Sequence, residues 1–185
     1  MTTPLIISDT PQQPKKRYYF DMDGTLAVFR RVDTFEQLLE PKYFKMLAPI
    51  KNIVRAAYLL SQREDCETYI LSCYLPENPT ALTEKQQWCD RFLREIDKDH
   101  RIFVPCGKRK ADYIPNPSEN DILIDDYRLN LDAWHGVPVK AYNGINGTSG
   151  IPWEGESIHY QSSPEEIANH LLEIAEKRTL SQKLT

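Results

Sequence analysis

Short apolar runs rich in aromatic and β-branched residues alternate along this chain with longer stretches whose apolar positions recur at helical spacing. The strand candidates are Tyr18-Tyr19-Phe20, Thr68-Tyr69-Ile70-Leu71, Arg101-Ile102-Phe103-Val104-Pro105, Ile122-Leu123-Ile124 and Val137-Pro138-Val139-Lys140-Ala141. Nearly continuous apolarity over so few residues predicts strands covered on both faces, as in a parallel sheet. Between them, Ile50, Ile53, Val54, Ala57 and Leu60 form one helical stripe behind Pro49, and Trp88, Phe92 and Ile96 form another behind the capping pair Thr83 and Gln86. Ser163, Pro164 and Glu166 open a final helix whose inner face is Ile167, Leu171 and Ile174. Strands alternating with helices predict an α/β fold, a three-layer Rossmann-like parallel sheet with right-handed crossovers. Val137 to Ala141 reads as the last strand, and Pro138 marks it as an edge. Residues 143–155, rich in Gly and Asn, read as a loop.

Two segments stand apart from this alternation. Residues 1–14, with Pro4, Pro11 and Pro14 and no periodicity, predict a flexible arm, so that one domain runs from 15 to 185. Residues 30–65 read as helical, with an early piece (Phe35, Leu38, Leu39) broken by Pro41. An insertion directly after the first strand predicts a small helical cap over whatever that strand presents. Tyr43 and Phe44 read as packing, whereas Phe29, close behind the first acids, reads as facing the site.

Polar chemistry follows the strand candidates. Phe20 runs into Asp21-Met22-Asp23-Gly24-Thr25, Leu71 into Ser72-Cys73, Pro105 into Gly107-Lys108-Arg109-Lys110, and Ile124 into Asp125-Asp126. Ligands of open α/β sheets bind beyond the carboxyl ends of strands, so these groups would share one edge. Taken singly, an Asp-rich turn or a run of cations is more often a solvated surface; their common placement raises the functional reading above that. Two carboxylates about 4 Å apart repel by roughly 4 kcal/mol at an effective dielectric near 20, so Asp21 and Asp23 call for a shared proton or a cation. Oxygen donors of this kind suit magnesium. Alternation at a strand end sends Asp125 and Asp126 in opposite directions, one onto the cation and the other in support behind it. Asn130 reads as a helix cap, with Leu129, Leu131 and Trp134 as packing.

Composition narrows the classes. A chain of 185 residues buries a full sheet-and-helix core without staples. A formal charge of −4 without a basic stripe argues against nucleic acid as a partner. The four cysteines, Cys66, Cys73, Cys89 and Cys106, form no Cys-x-x-Cys pair and read as reduced thiols. Leu5-Ile6-Ile7 is too short for a signal peptide, so the expected location is cytoplasmic, with no membrane partner, and the Asn146-Gly147-Thr148 sequon carries little weight.

From Tyr18 to Trp153, the sequence resembles the haloacid dehalogenase superfamily. The likeness rests on Asp21-Met22-Asp23-Gly24-Thr25-Leu26-Ala27 with Phe29, Ile70-Leu71-Ser72, Glu84-Lys85 with Trp88, Gly107 with Lys110-Ala111 and Ile114, and Asp121 to Tyr127 with Asn130 and Trp134. Within that superfamily it is most similar to the cytosolic 5'-nucleotidase and deoxyribonucleotidase branch, including bacterial and phage relatives. The segment between the first two motifs is shorter than in the animal enzymes, so base selection does not carry over. The resemblance implies Asp21 as the nucleophile toward phosphorus and Asp23 as general acid and base. It implies magnesium on Asp21, the Asp23 carbonyl and Asp125, with Asp126 in support. Substrate contacts fall to Ser72, Cys73, Lys110, Lys85 and Phe29, with Lys108 an alternative to Lys110. The implied activity is magnesium-dependent hydrolysis of nucleoside monophosphates. The alternatives are a phosphatase of sugar phosphates or other small metabolites, or an inactive ligand-binding scaffold. Either enzymatic reading makes the partner a small phosphate monoester, with self-association into a homodimer left open.

Overall fold

The computed structural model describes residues 14–145 and 152–183. All but Pro14 of the expected arm, and the Asn146-Gly147-Thr148 sequon, lie outside the described residues. The strands are β1 (Lys16–Phe20), β2 (Cys66–Tyr74), β3 (Arg101–Pro105), β4 (Ile122–Asp125), β5 (Val137–Tyr142) and β6 (Ser157–His159), and the helices are α1 (Lys51–Ser61), α2 (Ala81–Phe92), α3 (Arg128–Asp132) and α4 (Pro164–Lys183). The strands form one six-stranded sheet in the order β3-β2-β1-β4-β5-β6, with every pairing parallel. This is the expected α/β architecture, and its layers are unequal.

Period-two alternation sorts the strand side chains. Tyr18 and Phe20 of β1, Ile70 of β2 and Ile122 and Ile124 of β4 point to the face covered by Ile53 and Leu60 of α1, Trp88 of α2 and Leu171 of α4. Tyr19, Tyr69, Leu71 and Leu123 point the other way, where only short elements carrying Ile114, Leu131 and Trp134 cover them. Both faces are dry, which is why the strands read as nearly unbroken apolar runs. Among the described residues, no helix is long and apolar enough to cross a membrane.

Several boundaries differ from the sequence reading. The sheet has a sixth strand, β6, outside β5; it offers only Ile158 as a buried apolar residue, too little for a pattern. Val137 to Tyr142 is therefore not the edge, although β6 pairs only with Lys140 to Tyr142 and no β6 residue lies opposite Pro138. Helix α2 starts at Ala81 rather than behind Thr83, because Asn78 Oδ1 accepts both the N–H and the hydroxyl of Thr80 and turns the chain there. The Ser163 box forms as expected, with Ser163 N–H donating to Glu166 and Glu166 N–H to Ser163 Oγ.

The largest correction concerns residues 30–65. Only α1 is α-helical there, and it packs into the main core against α4 and β2 rather than over the site. The excursion before it holds two 3-10 turns, Phe35–Leu39 and Phe44–Met46, separated by Pro41 and by Lys42 at φ 71°, a backbone setting that no helix continues through. Val28 N–H donates to Ala48 O at 2.7 Å and Ile50 N–H to Leu26 O at 2.8 Å, so the excursion leaves and rejoins the fold at one place. Its inner end is fastened to α2. The buried Glu84 carboxylate accepts Lys42 N–H at 2.6 Å, Phe44 N–H at 3.1 Å and the Thr80 hydroxyl at 2.8 Å, and Trp88 Nε1 donates to Leu47 O at 2.8 Å.

Replacing Glu84 with Ala strands two backbone donors, an expected loss of about 2–3 kcal/mol. In a domain of this size that corresponds to a melting temperature lowered by about 4–12 °C, with a smaller loss for Glu84→Gln, which keeps a carbonyl acceptor. Thermal unfolding of both variants checks this; an Ala variant no less stable than the Gln variant would contradict the clamp.

Candidate active site

From β1 the sheet grows to β2 and β3 on one side and to β4, β5 and β6 on the other, so the carboxyl ends of β1 and β4 border the crevice where strand order reverses. A cavity of about 740 Å³ opens there, lined among others by Asp21, Asp23, Phe29, Cys73, Lys110 and Asp125. Asp21 leaves β1 with its N–H donating to Ile124 O of β4 at 2.9 Å, which sets the two acid-bearing strand ends side by side.

Lys110 joins them. Its buried Nζ donates to Asp21 Oδ1 at 2.6 Å and Asp125 Oδ2 at 2.7 Å. Burial works to lower the pKa of this ammonium, but Asp125 and Asp21 outweigh it and hold the group charged, well above the usual lysine range. The lysine reaches the site through a turn at Gly107, φ 84°, after β3. Lys108 is exposed on the same turn, so geometry chooses Lys110 as the lysine that meets the acids.

Lys85 serves the second acid. It projects from α2, fully buried, and its Nζ donates to Asp23 Oδ2 and to Ser72 Oγ at 3.2 Å while standing 4.8 Å from the Phe44 ring centroid. The structure therefore places Lys85 and Ser72 behind Asp23 rather than on the cavity wall, whereas Phe29 and Cys73 do line it. Tyr43 and Phe44 are buried, as expected for packing. Burial raises the Asp23 pKa; Lys85 opposes the shift and Asp21 adds to it. Asp23 Oδ1 is buried without a hydrogen-bond partner. That is the setting of a carboxyl group able to hold a proton.

Asp125 ends β4 with Oδ1 accepting Tyr127 N–H at 2.7 Å and Oδ2 accepting Asn130 Nδ2 at 2.8 Å. Asn130 is thus no helix cap; it lies within α3 and orients an acid. Leu129 is likewise not packed inside but 64% exposed and on the cavity wall. Asp126 lies past the end of β4, so strand alternation no longer separates it from Asp125. Its carboxylate rests against Gly24, where a Cβ would come within 2.1 Å of Oδ2 and where φ is 85°. Both facts require glycine. Asn143 Nδ2 bridges Asp126 Oδ2 at 3.1 Å and Gly24 O at 2.7 Å. Sequence reasoning missed Asn143, whose only signal is an amide directly after β5.

Carboxylate oxygens of Asp21, Asp125 and Asp126 lie within 4.8 Å of one another, all three residues buried. Four acids face two buried lysines, and Lys140 Nζ donates to the Asp126 main-chain carbonyl. The remaining negative charge shows at Asp126: burial first, then Asp21 and Asp125, push its carboxyl up to about 8. An all-oxygen, charge-deficient cluster fits a hard divalent cation such as magnesium. The Asp23 carboxylate is not among those oxygens, being turned to Lys85; the contribution expected from Asp23 was through its carbonyl.

The chain matches no protein-family model and no curated protein sequence. Among solved structures it is similar to a Mesorhizobium loti protein described as a HAD-like phosphatase, with 12% identity and a TM-score of 0.47 over 88% of this chain and 87% of that one.

Asp126 binds a proton in the folded state at pH values where the unfolded carboxyl, near 3.9, has lost it. Its contribution to stability is present below about pH 4 and fades as pH rises toward 8. A bound cation replaces that proton, so cation stabilisation grows across the same window. With chelator present, the melting temperature should fall between about pH 5 and pH 8, and added magnesium should raise it more at the upper end. Asp126→Asn should flatten both trends; a magnesium shift larger at the acid end would contradict the assignment.

Proposed function

We propose that this protein hydrolyses phosphate monoesters, with Asp21 as nucleophile and Asp23 as general acid and base, and that nucleoside 5'-monophosphates are its substrates. One observation carries the reading: two acids of a single turn sit in different settings. Asp21 is ion-paired to Lys110 at the cavity, while Asp23, paired to Lys85 through Oδ2, keeps Oδ1 buried without a partner and has its pKa raised by burial. A carboxyl group whose burial favours its protonated form is the one placed to give a proton.

In the first step an Asp21 carboxylate oxygen attacks phosphorus, the bond from phosphorus to the ester oxygen breaks, and Asp23 gives its proton to the departing alkoxide. In the second, Asp23 takes a proton from a water that attacks the aspartyl-phosphate, releasing phosphate and restoring both acids. Lys85 and Ser72 keep Asp23 oriented through both steps, and Lys110 holds Asp21 and meets the phosphoryl oxygens. Magnesium, held by Asp21, Asp125 and the Asp23 carbonyl with Asp126 beside them, would supply positive charge against the anionic nucleophile and phosphate.

The cavity supports an organic leaving group far larger than the phosphate, and Phe29 and Tyr127 on its walls suit a planar ring. A second reading, hydrolysis of sugar phosphates or similar metabolites, is favoured by the burial of Tyr43 and Phe44, which leaves few aromatics for stacking.

A panel of nucleotides and sugar phosphates assayed with magnesium tests the proposal. Asp21→Asn should abolish phosphate release. Asp23→Asn should lower kcat by about 10²- to 10⁴-fold on alkyl phosphates. It should lower it far less on p-nitrophenyl phosphate, whose phenolate leaves without a proton. Wild-type turnover no greater than that of Asp21→Asn on every ester would reject the enzyme and leave a ligand-binding scaffold.

A further inference from the structure

The turn after β3 presents a run of cations, Lys108-Arg109-Lys110, of which the chemistry above uses only the last. Lys110 is buried and spent on Asp21 and Asp125. Lys108 and Arg109 line the same cavity and are exposed, and among the described residues their side chains make no hydrogen bond or ion pair, only their backbones being bonded within the turn. The acids lining the cavity, Asp21, Asp23, Asp125 and Asp126, all belong to the cluster at the strand ends with Lys110, so among the described residues the charged groups left on the wall are these two cations. The same cavity is lined by Tyr127, Leu129 and Ala133, which offer apolar surface and no counter-charge.

The slot left for the leaving group is thus lined by an apolar set and a cationic set. A neutral nucleoside uses only the first. A protein with a formal charge of −4 gains nothing in solubility from two free cations at an anion-binding mouth, and a local positive wall is what would offset its overall repulsion of polyanions. Lysine as a point charge and arginine as a planar fork together suit a phosphate.

We infer that Lys108 and Arg109 form a second phosphate subsite, and that the preferred substrates are small bisphosphorylated molecules, one phosphate being hydrolysed at Asp21 while the other rests on this pair. The inference rests on the phosphatase reading and puts a bisphosphate in place of the 5'-monophosphate as the preferred ester.

The experiment compares kcat/KM for a nucleoside 3',5'-bisphosphate with that for the same nucleoside's 5'-monophosphate, both at low salt with magnesium. Exposed ion pairs are individually weak, so the two cations together should favour the bisphosphate by about tenfold in wild type. Raising ionic strength should draw that ratio toward one. In K108A/R109A the ratio should fall to about one, and in K108E/R109E below one. The ratio, rather than either rate, separates loss of the subsite from general damage, and the salt series in wild type gives the same answer should either variant fold poorly. A wild-type ratio of one with clear turnover of both esters overturns the subsite and leaves the phosphatase intact; a ratio unchanged in both variants does the same. Turnover of neither ester above Asp21→Asn removes both readings together.

Discussion

Negative charge gathered at the junction of β1 and β4 is the constraint to which the rest of the structure answers. Four carboxylates arrive there because two parallel strands end side by side, and their mutual repulsion in a largely dry crevice would oppose folding if nothing offset it. Two buried lysines do so from opposite sides, Lys110 from the turn after β3 and Lys85 from α2. The offset is incomplete, and the deficit falls on Asp126. Function and strain share this origin: a site that folding leaves short of positive charge is one that attracts cations and holds protons where chemistry needs them.

Helix α2 shows how one element serves both parts of that arrangement. Glu84 and Trp88, one turn apart, fasten the excursion after β1 by its backbone, while Lys85 between them reaches Asp23 and Ser72. Phe44, whose N–H is held by Glu84, lies under the Lys85 ammonium. The position of the excursion is therefore coupled to the orientation of Asp23 through a single helical turn, while Phe29 of the same excursion lines the cavity directly.

Much of this was legible in the sequence, for identifiable reasons. The α/β sheet could be read because both faces are buried, giving short apolar runs that stop at polar residues. Asp21, Asp23, Lys110, Asp125 and Phe29 could be placed because each follows a recognisable strand or motif. What could not be read depends on contacts between distant segments. Nothing local distinguishes Asn143 from a loop asparagine, or shows that Lys85 points at Asp23. Asn130 was misread as a cap because its residue type is common at caps, whereas its partner, Asp125, is fixed by tertiary structure. Residues 30–47 carried helical spacing, but Pro41, Lys42 at φ 71° and the pull of Glu84 on the backbone overrode it.

Gly24 joins these threads. Its positive φ turns the chain after Asp23, and its missing side chain lets the Asp126 carboxylate settle against the backbone. Asn143, from the end of β5, closes the contact by bonding both. The loops after β1, β4 and β5 are thereby locked together at one point, where the Asp126 and Asn143 side chains meet the bare backbone of Gly24. A larger residue at position 24 would separate the acids by pushing Asp126 away, relieving the charge crowding and abolishing the site by the same movement. Close packing of the backbone, not the acids alone, is what keeps the crevice charged.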